Sequence, residues 1–110
     1  MRVTSDLFVA ALVRRCRGAD APAYVISRGA TEAGAIFLTV DRLDGRVDLY
    51  APAPQATFGE EDADRRFECL IAEGTEMDVA ERLARERSFD PDLWVVAIED
   101  RDGRAFVDLV

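Results

Sequence analysis

Two Asp-Gly pairs, Asp44-Gly45 and Asp102-Gly103, each lie between apolar runs, and they constrain the fold of this chain more than any other feature. Their surroundings nearly repeat, as "DRLDGRVDLY" from Asp41 and "EDRDGRAFVDLV" from Glu99. A two-residue type I′ loop needs positive φ at both central positions, so Asp-Gly between alternating apolar residues is a strong hairpin signal. With Asp44-Gly45 as the loop, Leu43 faces Arg46, Val40 faces Leu49 and Leu38 faces Ala51. One face then carries Ile36, Leu38, Val40, Val47, Leu49 and Ala51, with Arg42 at its edge. With Asp102-Gly103 as the loop, Ile98 faces Val107 and Val96 faces Leu109, and Trp94 and Ala105 join the same face. Each turn yields a coherent apolar face, so the echo is read as turn chemistry used twice and not as a duplicated site. The second hairpin also predicts that residues 106–110 are held in the sheet, and that removing them unfolds the chain.

The first register sets Asp41 opposite Asp48, and like charges directly opposite are unfavourable. Neutralisation by Arg46 or another arginine is expected in preference to a bound cation. Two carboxylates supply few of the six or more oxygens that a hard cation takes.

The rest of the chain fits around these turns. Thr4 or Ser5 can cap a helix from Asp6, in which Phe8, Val9, Leu12, Val13 and Cys16 fall on one face. Arg14, Arg15 and Arg17 then suit the negative end of the helix dipole, and Gly18 can end it. "AYVISRG", "AIFLTV", "RVDLYAP" and "RFECLIAE" read as strands. Thr75 with Asp78 forms a capping motif for a second helix, and "LWVVAIED" and "RAFVDLV" close the series. The expectation is one α+β domain over residues 1–110. It has about six strands in a largely antiparallel or mixed sheet, two helices packed on it, and the order α-β-β-β-β-α-β-β.

Composition removes several chemistries. There is no histidine, and all 14 basic residues are arginine. Ser-His-Asp arrangements, histidine–zinc sites, Schiff-base lysines and P-loop lysines are therefore excluded. The net charge of −8 comes without a dense basic run, which argues against nucleic acid as a partner. No apolar run approaches the ~20 residues of a membrane span, and the N-terminal apolar stretch is broken by Arg14, Arg15 and Arg17 in a way unlike a leader peptide. The expected compartment is the cytoplasm, where Cys16 and Cys69 are read as two small buried hydrophobes.

Four residues are candidate ligand contacts. Arg28 precedes the glycines of "SRGATEAG", which are read as turn residues needing positive φ, and it can receive a carboxylate or phosphate with nearby backbone N–H groups. Arg66 opens a strand and offers a second cation. Asp90 and Asp92 flank Pro91 just before a strand and are candidates for acid and base. The acid cluster "GEEDAD" at residues 59–64 lacks the spacing of a calcium loop, so no metal site and no cofactor is expected.

The phrases "SRGATEAGAIFLTV", "LYAPAPQ", "DRRF" and "FDPDLWVVAIEDRDGR" together carry a resemblance. Over essentially its whole length the chain resembles a family of short alphaproteobacterial proteins classed as a domain of unknown function. The resemblance implies a compact bacterial domain and names no catalytic residue. The reading from sequence is thus a small interaction or regulatory module, binding a protein partner or itself through a sheet edge or through the Val95, Ala97 and Phe106 face. The alternative is a binder of, or an enzyme acting on, an anionic small molecule.

Overall fold

Residues 93–96 are all buried, the pattern of a strand covered on both faces and flanked on both sides. They lead into an interior strand of a computed structural model that describes residues 3–54 and 65–110. The elements are α1 (Ser5–Gly18), β1 (Ala23–Ser27), β2 (Ile36–Asp41), β3 (Val47–Pro52), β4 (Arg66–Gly74), α2 (Glu76–Phe89), β5 (Trp94–Glu99) and β6 (Asp108–Leu109). Their order is the expected one, and the two helices and six-stranded mixed sheet make an α+β fold. The sheet order is β1-β5-β2-β3-β4-β6. β5 runs antiparallel to β1 and parallel to β2, β2-β3-β4 is an antiparallel meander, and β6 runs parallel to β4. No helix among the described residues is long and apolar enough to cross a membrane. The "GEEDAD" cluster lies outside the described residues.

Each face of the sheet has its own core. Leu12 and Cys16 of α1 pack with Leu38, Val40, Trp94, Val96 and Ile98. On the other face Val79 and Leu83 of α2 cover Phe37, Leu49, Ala51 and Val95. Helix α1 carries the predicted apolar stripe but a different cap. Its first N–H groups are bonded to loop carbonyls, Ser5 N to Glu32 O at 3.0 Å and Asp6 N to Thr31 O at 3.0 Å. The Thr4 hydroxyl is instead turned to the Asp6 carboxylate. At α2 the Thr75 hydroxyl accepts from the Asp78 N–H at 3.0 Å, as the capping motif requires.

The first Asp-Gly pair makes a hairpin, shifted by one residue from the predicted register. Val40 pairs with Asp48, Thr39 with Leu49 and Leu38 with Tyr50. The turn spans three residues, because Arg42 N–H bonds to Arg46 O at 3.0 Å, and the positive φ falls at Leu43 and Gly45. A one-residue slip moves every side chain of a strand to the other face. Asp41 and Asp48 therefore never meet. Asp48 points into the α1 side of the sheet at 1% exposure. A bulge in β4 leaves the Glu73 N–H unpaired with β3, and the Asp48 carboxylate accepts it at 2.6 Å. Arg42 Nε supplies the second bond at 2.9 Å, so the neutralising arginine is Arg42; Arg46 pairs with Asp44 and Glu73.

The second Asp-Gly pair does not make a hairpin. Both sides of β5 are already hydrogen-bonded, to β1 and to β2, so no returning strand has a place beside it. Gly103 N–H bonds to Asp100 O at 3.0 Å, and the Asp100 carboxylate accepts from the Arg104 N–H at 2.7 Å and from its guanidinium. This turn sends residues 104–107 across the α1 face, where Ala105 is buried and Phe106 and Val107 pack against the core. The chain then pairs with β4 at the far edge. Ala105 and Val107 thus reach the core that the hairpin predicted, by another route. Leu109 does not; it is half exposed, so truncation at residue 106 costs less apolar burial than the hairpin implied. Cys16 is buried as expected, whereas Cys69 is exposed.

Two outcomes follow from these carboxylates. Replacing Asp48 with alanine strands the Glu73 N–H and is expected to lower stability by about 2–3 kcal/mol in urea melts, while Asp48→Asn, whose amide oxygen still accepts, loses less. Asp100 is held below the ordinary aspartate range, first by its bond from the Arg104 side chain. A carboxylate depressed in the folded state contributes stability above its unfolded value of about 3.9, lost as the pH falls below that toward the folded value. Asp100→Asn is therefore expected to be less stable at pH 7 and to show a shallower loss of stability below about pH 4.

Candidate functional site

The loop after β1 is pinned to the start of β5 by close backbone contact. A Cβ on Gly29 would lie 2.1 Å from Asp92 O, and one on Gly34 would lie 2.7 Å from the same atom. Neither glycine has positive φ, so their role is close approach and not the turn conformation expected of them. The approach lets Ala30 N–H bond to Asp92 O at 2.9 Å, Trp94 N–H to Ala35 O at 2.7 Å, and the Trp94 indole Nε1–H to Ala30 O at 2.8 Å. Ala30 and Gly34 thereby spend their N–H groups within the protein, leaving them no part in holding an anion.

Pinned this way, the loop sets the Arg28 guanidinium over the Trp94 ring, 4.9 Å from its centroid. At that distance the indole face attracts the guanidinium by a cation–π interaction. Across from it runs α1. Arg14 and Arg17 are three apart and share a helix face. That face looks toward β1, and Arg17 Nη2 donates to Ala23 O at 3.0 Å. Between α1 and β1 lies an open groove of about 690 Å³. Among the described residues, Val9, Val13, Val25 and Trp94 supply its apolar lining, Arg14, Arg17 and Arg28 its cations, and Asp6 its one acid. The carbonyl that Arg17 binds is neutral and does not offset the positive charge of its side chain. None of the three forms an ion pair with another described residue, whereas Arg42, Arg46, Arg82 and Arg104 all do.

The other candidates named from sequence lie elsewhere. Arg66 sits in β4, opposite Asp108. Four strand spacings separate β4 from β1, about 19 Å. Asp90 ends α2, and its carboxylate accepts the Asp92 N–H at 3.1 Å in a local turn. Asp92 supports the Arg28 loop through its carbonyl. Neither aspartate lines the groove. Among the described residues no group of three or more His, Cys, Asp or Glu side chains is placed to hold a metal ion. Val95, Ala97 and Phe106, suggested as one docking face, do not share a face: Val95 is buried in the α2-side core, Phe106 packs against the α1-side core and Ala97 is half-buried.

Arg14, Arg17 and Trp94 were absent from the sequence candidates. The helix arginines were accounted for by the helix dipole and the tryptophan by the core. The available signal is their spacing: Asp6, Ala10, Val13 and Arg17 lie four, three and four residues apart with Arg14 next to Val13, a polar-edged stripe beside the buried one.

Residues 3–108 match a family described as "Protein of unknown function (DUF1491)". The solution structure of protein Atu0922 from A. tumefaciens is similar at 46% identity and a TM-score of 0.89, covering 100% of this chain and 96% of that one. A crystal structure of a DUF1491 family protein from Caulobacter crescentus CB15 is similar at 34% identity and a TM-score of 0.82, covering 100% and 99%. Both organisms are alphaproteobacteria, in keeping with the resemblance read from sequence. No curated protein is similar in sequence.

Proposed function

The chain belongs to the DUF1491 family, and we propose that it is a binding module that receives an anionic partner in the groove between α1 and β1, without chemistry of its own. One observation carries the reading. In a chain of net charge −8, where acids outnumber bases, three guanidiniums without an acidic partner among the described residues converge on one apolar-floored groove. Arginine forks match carboxylate and phosphate oxygens in pairs of parallel hydrogen bonds. The valines and Trp94 offer contact to the carbon skeleton that carries such a group. Among the described residues that line the groove, Asp6 alone, at one end, repels it. Acid–base work is not part of the reading, because Asp90 and Asp92 do not border the groove.

Trp94 is the sole tryptophan, and Arg28 lies on its ring, so the groove carries its own reporter. Titration with phosphate or citrate at constant ionic strength is expected to give a saturable change in tryptophan fluorescence. Arg14→Gln and Arg28→Gln are each expected to weaken the apparent affinity at least tenfold while leaving the melting temperature within a few degrees. A response that is linear in anion, or equal in the variants, would count against the groove.

A further inference from the structure

We infer that the groove's occupant is an extended acidic segment of another protein, added to the sheet beside β1; this rests on the anion-receiving reading above. β1 is an edge strand. Glu99 N–H bonds to Pro22 O at 2.9 Å, which makes that pair a hydrogen-bonded one. By the alternation of an antiparallel ladder, Tyr24 also bonds toward β5, while Ala23 and Val25 turn their N–H and C=O groups outward. The Ala23 carbonyl is taken by Arg17. Val25 is left presenting both groups on the open edge, and its side chain lines the groove.

β1 is only five residues long and its pairing is irregular between Val25 and Ser27, but its side chains do not guard the edge. Tyr24, Val25 and Ile26 are exposed at 46%, 39% and 62%, with no charge or proline among them. A strand laid there would bond to Val25 and cover all three. Strand side chains alternate, so every second residue of the added strand would stand on the Val25 side, beside Arg14, Arg17 and Arg28, and the others would stand with Tyr24 and Ile26. The sequence that fits is acidic at alternate positions and apolar between them. The stretch of α1 beside the groove, from Asp6 to Gly18, is about 18 Å long, the span of five or six extended residues.

Charge also chooses between occupants. A second copy paired β1 to β1 about a two-fold axis would bring two sets of three arginines onto one face, an unfavourable meeting of like charges. An acidic segment meets the same arginines with the opposite sign.

The probe is a capped, fluorescein-labelled heptapeptide alternating glutamate and valine, measured against the full chain by anisotropy and by amide NMR. Binding is expected, with the largest amide shifts in β1 at Val25 and its neighbours. Replacing each glutamate by glutamine is expected to weaken it at least tenfold. Of two N-methylated versions, one on the glutamate nitrogens and one on the valine nitrogens, one is expected to lose at least tenfold and the other to bind as before, because only one set of N–H groups faces β1. Equal binding by both overturns strand addition and leaves the groove reading standing, as does phosphate binding without peptide binding. Neither probe binding overturns both. A dimer in sedimentation with β1 amides protected before peptide is added overturns the inference in favour of a second copy.

Discussion

The structure depends on β5 being hydrogen-bonded along both sides. Its residues from Trp94 to Val96 and Ile98 are almost wholly buried, and its neighbours are β1 and β2. Inserting the last long strand between the first two requires α2 to carry the chain back over β3 and β2 after β4. It pushes β1 out to the edge. It also denies the final segment a partner beside β5, so that segment crosses the α1 face to the far edge of the sheet. The groove is a by-product of the same insertion: its floor is the first residue of β5, one wall is the displaced β1, and the other is α1.

Electrostatics follow the same division of the molecule. At the end of the sheet where β2 passes into β3, Arg42 bonds to buried Asp48 and its guanidinium lies 2.5 Å from where a Cβ on Gly103 would be. The φ of +75° is what favours glycine there, since the guanidinium is the far end of a flexible side chain and can move aside. Arg46 and Arg104 add further pairs nearby. Acids and arginines at this end neutralise each other and join the hairpin, the β4 bulge and the exit from β5. Along α1 and β1 the arginines lack such partners among the described residues. The first arrangement serves the fold, and the second is the observation on which the proposed anion-receiving reading rests.

Much of this fold was legible in the sequence, because periodicity reports which residues a segment buries. The stripe of α1, the cap of α2 and the order of elements all follow from local pattern. Register and partner choice do not. The slip at Asp44-Gly45 goes with a bulge in β4 that gives Asp48 a donor, and that bulge, between Ile71 and Gly74, lies far along the chain from the turn. The exit at Asp102-Gly103 turns on which strands already flank β5, which no local pattern contains. The site was half legible for the same reason. Arg28 stood out beside its glycines, but Arg14 and Arg17 become a site only when α1 is laid against β1. Asp90 and Asp92 looked like an acid–base pair because Asp-Pro-Asp concentrates carboxylates. In the fold one closes a local turn and the other contributes its carbonyl.

The central claim is that three arginines form one anion site, and an anomalous scatterer tests it directly. Crystals grown free of sulfate and phosphate would be soaked in selenate and measured at the selenium edge. The account requires the principal anomalous peak to lie in the groove, within hydrogen-bonding distance of Arg28 and of Arg14 or Arg17. A well-occupied peak elsewhere with the groove empty, in a lattice where no neighbouring molecule covers the groove, would contradict it.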